Sequence, residues 1–422
     1  MDWGAITSKL KSSKTKYQFY FGDYDFGDYS KGKLAGVIPI QRVGWGRRAV
    51  EIRANKTKFD RFENDRLGLN EIFTKYKVKE AFNKIKDDVL VCGCGFLALN
   101  GEKVYPFTAQ EATGDFSWKE QNLVNGVAVY RPNSVKPLRA PNLTDLSVPN
   151  AWVQYLPDRT IAHERDNDGR DIMTVALNDT GRPLMGLLTH KSTATRPFGQ
   201  SVLTSAARSA MMDASRTVRQ AMISAYYYNT KVDVILGADS ETAVDKIESQ
   251  TGDVLKIGTN DNGQIPQLGE FSQHAMAPFS DTLLISARNF CSDTKLSLAN
   301  LGITTDAPQS TEALEIVNDD LRDDILGWQD EIGEQLKYFA VTLWMYDNKV
   351  RNISPELAGV IEETKPVFMS VYRQDVGKFG DGLQKIAIQA PDIVKSRTLW
   401  RNLGLTSEEI DTIIETAGQS VL

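Results

Sequence analysis

Apolar residues recur at helical spacing from Val202 onward. Val202, Ala206, Ala210, Ala214, Val218 and Met222 step by four, with Leu203, Ala207 and Met211 one position on. That recurrence is one face of an α-helix, and Arg208, Asp213, Arg216, Thr217, Arg219 and Gln220 fill the rest. Pro197 and Gly199 stand just ahead, where a helix can begin. Val232 to Leu236 then reads as a strand closed by Gly237. On pattern alone this is any long amphipathic helix running into a strand.

The same reading predicts helices over 45–58 and 69–85, then a buried strand over 87–99 followed by Val104 and Tyr105. The aromatic stretch 17–29 (YQFYFGDYDFGDY) reads as a surface loop or strand edge. Strands follow over 127–130, 151–156, 160–164 and 172–177, with Asp166-Asn167-Asp168-Gly169 as the hairpin turn between the last two. After the 232–236 strand, 240–249 reads as a short helix capped by Ser240. Strands over 254–257 and 265–268 flank an Asn260–Gly263 turn. Ser280 is expected to cap a helix over 281–298, with Leu283, Leu284, Ala287, Phe290 and Cys291 on one side. The longest helix spans 311–347, striped by Leu314, Val317, Leu321, Ile325, Trp328, Ile332, Leu336, Phe339 and Leu343. A strand over 366–372 and helices over 381–389, 396–403 and 407–416 complete the chain. The fold class is α+β.

Composition narrows the chemistry. The 422 residues suffice for two or three domains, and 41% hydrophobic with 25% charged residues is ordinary for a globular chain. Cys92, Cys94 and Cys291 cannot make a disulfide framework, and with three histidines a zinc site lacks ligands. The N-terminus has no apolar stretch of a secretion signal. The most apolar run, 89–99, is about half a membrane span, so a soluble chain is expected. Residues 27–34 nearly spell a phosphate-binding loop, but Leu34 replaces the hydroxyl that would hold magnesium. No esterase elbow, zinc-protease helix or dinucleotide fingerprint is present, so no catalysis and no cofactor are expected. His163 reads as a strand histidine. Asp319, Asp320, Asp323, Asp324, Asp330, Glu331 and Glu334 read as a solvated acidic face. The net charge of −6 fits a protein that never meets nucleic acid, and equally a surface that lets DNA slide without gripping its phosphates.

Several segments, in order, resemble tailed-phage portal proteins, particularly those of siphophages of actinobacterial hosts. They are 45–55 with Phe59 and DDVLVCGCGFLAL at 87–99; RPFGQS through LGAD at 196–239; PFSDTLLISARNFCSDTKLSLANLGI at 278–303; STEAL at 310–314; and LGLTSEEIDTI at 403–413. The resemblance implies a portal fold. Residues 1–195 would be the first part of a mixed α/β wing, 196–229 and 276–300 a two-helix stem, and 230–275 a small α/β clip. Residues 301–310 would be a tunnel loop, 311–348 a long wing helix, and 349–422 the rest of the wing with a short helical crown.

It further implies a homo-oligomeric ring, a dodecamer, at one capsid vertex of the virion, assembled in the host cytoplasm. Its partners would be the terminase large subunit, a head–tail adaptor, the major capsid protein and scaffold, and double-stranded DNA bound without sequence preference, with no membrane. Thr304, Thr305, Asp306, Gln309 and Lys295 are the expected DNA-channel residues. Glu241, Asp245 and Lys246 are the expected clip contacts. Another ring-forming structural protein, or an enzyme without a recognisable motif, remains the alternative from sequence.

Overall fold

In a computed structural model of the chain, the described residues are 13–25, 41–130, 151–165, 171–228, 233–236, 245–249, 252–256, 267–270, 275–303, 311–371, 396–402, 405 and 407–419. The chain divides into two compact units. One comprises Met1–Gly22, Gly44–Thr204 and Thr294–Leu422; the other comprises Asp23–Val43 and Ser205–Asp293.

The larger unit opens with helices α1 (Lys14–Phe21), α2 (Trp45–Lys56), α3 (Leu69–Lys75) and α4 (Val78–Cys92), with strand β1 (Phe59–Glu63) between α2 and α3. Strands β2 (Cys94–Asn100) and β3 (Lys103–Thr108) follow. Next come β4 (Ala112–Ser117), β5 (Asn122–Val129), β6 (Ala151–Tyr155), β7 (Arg159–Arg165), β8 (Asp171–Leu177) and β9 (Met185–Thr189). Strands β4 to β8 form a five-stranded antiparallel meander in chain order, and β3-β2-β9 form a three-stranded sheet.

The smaller unit holds helix α5 (Ser205–Tyr228), strands β10 (Asp233–Leu236), β11 (Asp245–Ser249), β12 (Gly252–Lys256) and β13 (Gln267–Glu270), and helix α6 (Ala277–Thr294). Back in the larger unit, a 3-10 turn (Ala299–Leu301) precedes the 38-residue helix α7 (Thr311–Asn348). Then come α8 (Pro355–Glu363), β14 (Lys365–Phe368), α9 (Arg397–Asn402) and α10 (Ser407–Gln419).

Helix α7 organises the larger unit. Its predicted stripe from Leu321 to Leu343 is buried, Ile325, Ile332, Leu336 and Leu343 completely, and it packs on α3, β9 and β14. Beside it Phe59, Phe62, Phe73 and Phe368 form an aromatic cluster with centroids 4.9–5.6 Å apart; Phe59 and Phe73 are tilted, and the other three contacts have the edge-on geometry that ring quadrupoles favour.

Several expectations are corrected. Residues 87–92 end a helix and are not strand: an apolar run carries no period of its own. The turn falls at Gly93, whose φ of 94° supplies the left-handed C-cap and whose N–H donates to Val89 O at 2.7 Å. The 69–85 helix is two, broken at Lys77 with φ 56°. Residues 14–21 are helical, because Tyr17 and Phe19 dock as buried anchors.

Helix α5 starts at Ser205, after the Pro197/Gly199 turn. Its buried face is Ala207, Ala210, Met211 and Ala214, with Thr217 and Arg219 also buried, while Ala206 is exposed. Residues 245–249 form a strand, not a helix. Their register with β12, Ser249↔Gly252, leaves two residues for the connection, the shortest hairpin loop. Strand β12 therefore pairs with β11, and β13 with β10. Helix α6 begins and ends about a turn early, stopped by Lys295 at φ 53°. The 27–34 loop, the 166–169 turn, the 260–263 turn and the 381–389 helix lie outside the described residues.

Candidate functional site

The RPFGQS segment at 196–201 is tied down by backbone geometry. Gly93 O accepts from His190 N at 2.9 Å, and His190 O accepts from Gln200 N at 2.7 Å. Val202 N donates to Leu90 O at 3.0 Å, and Ser201 Oγ donates to Val91 O at 2.6 Å. Gly199 has φ 68°, and a Cβ there would stand 2.3 Å from Gly93 O. So the glycine of RPFG is required by the backbone of Gly93, and the glycine of CGC by the backbone of Gln200, whose N and C would stand 2.9 Å from its Cβ. The chain leaves for α5 from this fixed point.

It returns to a second fixed point. Arg53, on the buried face of α2, donates from Nε to Asp324 Oδ2 at 3.0 Å, from Nη1 to Ala49 O at 2.9 Å and from Nη2 to Thr294 O at 2.5 Å. Lys191 and Lys295 reach Asp324 Oδ1 at 2.5 and 3.3 Å. Burial would raise the Asp324 carboxyl, but the hydrogen bond from Lys191 and the charge of Arg53 outweigh it and hold the group well below the usual carboxylate range. Burial lowers the Arg53 guanidinium, against the pull of Asp324.

Two turns on, Glu331 accepts from Lys191 N at 2.8 Å, Ser192 N at 2.9 Å and Thr189 Oγ1 at 2.7 Å. Trp328 Nε1 donates to Thr189 O at 3.1 Å. Asp324 and Glu331 thus leave the expected solvated acidic face. They are the carboxylates that bind α7 to the strand end at 189–192.

His190 sits within this clamp. Its Nδ1 meets Gln200 O at 2.8 Å, and its ring stands edge-on to Trp328 at 5.8 Å. Among the described residues Nε2 has no partner. Burial lowers its pKa to about 4, with the Gln200 carbonyl opposing and Lys191 assisting. His163 is the paired strand histidine expected, stacked on Trp152 at 4.5 Å. The buried thiols of Cys92 and Cys94 are each pushed up to about 12 by burial, which suppresses the reactive thiolate.

The expected channel residues divide. Lys295 lies just past α6 in the Asp324 cluster, while Thr304, Thr305, Asp306 and Gln309 lie outside the described residues, as does Glu241. Asp245 and Lys246 occupy the start of β11, paired to Lys256 and Leu255. Sequence reasoning missed Arg53, although a lone cation within the apolar Ala49, Val50, Ala54 stripe is a legible sign of a buried partner.

No protein-family model matches the chain, and no curated protein sequence matches it. Among solved structures, it is similar to a chain of the neck of a native gene transfer agent particle, computed with C12 symmetry. The identity there is 13% and the TM-score 0.47, over 92% of this chain and 94% of that one. It is also similar to a chain of the virion of a native gene transfer agent particle, at 12% identity and TM-score 0.45, over 78% and 81%.

Proposed function

We propose that the chain is a portal subunit: it forms a ring at one capsid vertex, through which DNA enters during packaging and leaves at ejection. The observation that carries this reading is the order of parts between the two fixed points. Helix α5 is followed by two short β-pairs, by α6, by the 301–310 connection and by α7. This matches the order of stem, clip, stem, tunnel loop and wing helix implied by the sequence resemblance. A heterologous interface closes into a ring when its rotation is right, and the resemblance implies twelve copies.

In this reading residues 230–275 meet the terminase motor and later the head–tail adaptor, and the larger unit meets capsid protein and scaffold. The chain hydrolyses nothing; the motor supplies the work. The surface of β8 suits assembly. Ile172, Met173, Val175 and Leu177 are 54–77% exposed on one edge strand whose only charged residue is Asp171 at its start, an arrangement that monomers avoid.

The test is imaging of the purified full chain by negative stain, with mass photometry. Rings with a central channel are expected. Compact monomers alone, also in the presence of scaffold and capsid protein, would overturn the reading. ATPase activity in the isolated ring would contradict its passive role.

A further inference from the structure

Away from both fixed points, the larger unit carries a groove along α7. Its deeper part is a cavity of about 610 Å³ lined by Glu120, Arg182, Tyr338 and Arg351 over an apolar floor that includes Leu123 and Met345. A second cavity of about 420 Å³ shares Glu120, Arg182 and Tyr338 and continues past Val341 to Glu334 and Glu362.

Two guanidiniums dominate the deep end. The Arg182 guanidinium carbon lies over the Tyr338 ring, 4.5 Å from its centroid, a cation–π contact that leaves its N–H donors free of that ring. Neither Arg182 nor Arg351 makes a side-chain hydrogen bond or an ion pair among the described residues. Lys337, by contrast, is satisfied by Glu334 at 2.7 Å and is not available. The deep end is therefore lined by two guanidiniums whose donors make no hydrogen bond among the described residues and by one carboxylate, Glu120, while the charge of Arg351 also acts on the exposed Asp158 carboxylate. The shallow end is acidic, with Glu362 beside the neutralised Lys337–Glu334 pair.

Shape selects the class of ligand. From Glu334 to Met345 the helix rises about 16 Å, the span of an extended chain of about five residues. A compact anion would fill only the deep end.

We propose that this groove binds an extended polypeptide segment of a partner protein. The segment carries an Asp or Glu side chain, held by the Arg182 and Arg351 forks, next to apolar residues that lie on Leu123, Val341 and Met345. Arginine forks match carboxylate geometry, and Glu120 is placed to accept a backbone N–H of the segment. The inference stands on the larger unit alone and does not require that the chain form a ring.

The test is selection of a random pentapeptide display library on the full chain, with a counter-selection on the Arg182→Gln/Arg351→Gln double variant. Enriched peptides are expected to carry Asp or Glu flanked by apolar residues. As synthetic fluorescent peptides they should bind the double variant roughly tenfold more weakly or worse. Arg182→Lys, which keeps the charge and loses the fork, is expected to fall between. An unchanged melting temperature of the Arg351→Gln single variant secures the fold, since that side chain is exposed.

No enrichment, enrichment of peptides without carboxylates, or equal binding to the double variant would overturn the proposal. Full displacement by inorganic phosphate or acetate at the peptide's own concentration would show a small-anion site instead.

Discussion

Single positions set the two fixed points, and two of them yield predictions. Gly199 combines φ 68° with a Cβ position 2.3 Å from Gly93 O. Gly199→Ala must move backbone, since no side chain can yield, and is expected to cost about 3 kcal/mol or more. Gly359→Ala in α8 is the control: nothing lies within 4 Å of its Cβ, so it should be neutral or stabilise by up to about 1 kcal/mol. Equal denaturation midpoints for the two variants would refute the contact.

His190 predicts an acid response. Its pKa is about 4 in the fold and about 6.5 when unfolded. The unfolded chain therefore binds the proton more readily, and stability present above pH 6.5 is lost as pH falls towards 4. The loss is about 3 kcal/mol. Lys191, Arg53 and Asp324 are the charges that act on the ring. Asp88 works in the opposite sense. Burial raises it to about 6, and the hydrogen bond from Tyr17 at 2.5 Å only partly offsets this, so ionising it costs stability as pH rises through that value. His190→Asn, which can keep the bond to Gln200 O, should flatten the decline between pH 6.5 and 4 in urea titrations. An unaltered slope would locate the acid sensitivity elsewhere.

At the scale of elements, what was legible depended on whether local pattern and tertiary packing agreed. Helix α7 was read nearly to the residue because an apolar stripe at period 3.6 must be buried. Strands β6, β7 and β8 were read because their turns and β-branched residues agree. Helix α8 was missed although Ser354, Pro355 and Glu356 spell its start, and Ser354 Oγ accepts from Leu357 N at 3.2 Å. Its nine residues were too few to show a period. Residues 87–92 were misread because Val-Leu-Val-Cys suits either state, and only packing of α4 on β2 and β3 decides. The clamp was invisible for another reason. Asp324 and Glu331 look like their solvated neighbours until Arg53, Lys191 and Ser192 are brought to them from elsewhere in the chain.

The β11–β12 hairpin carries a prediction at this scale. Its seat between α5 and α6 in the chain order makes it the proposed docking end. Combined substitution of Glu241, Asp245 and Lys246 by Ala is expected to weaken terminase and adaptor capture while sparing oligomer formation. Undiminished pulldown of both partners would remove the hairpin from the docking surface.

For the whole molecule, the proposed function raises the question of how an acidic chain would handle DNA. The net charge is −6, and phosphate binding scales with the cations offered. Residues 301–310, the expected tunnel loop, contain no Lys or Arg. Lys295, the cation nearest to it in sequence, stands 3.3 Å from the Asp324 carboxylate, which draws its charge toward α7. A ring built from such a loop would present Thr304, Thr305 and Asp306 to the bore. The hydroxyls could hydrogen-bond phosphates in passing, and the carboxylates would repel them, so DNA could move without being held.

Asp306→Lys changes the loop by two charges per copy, and a closed ring multiplies that by the number of subunits. Each added cation releases counterions on meeting a phosphate, which converts a sliding surface into a gripping one. The variant is therefore expected to assemble normally but to package DNA slowly and to stall more at low salt than at high salt, because the grip is screened. Asp306→Asn, which removes repulsion without adding a cation, should have a much smaller effect. Packaging rate and packaged genome length, measured across a salt series for both variants, decide the matter. If Asp306→Lys packages like the wild type at low salt, the loop does not meet DNA.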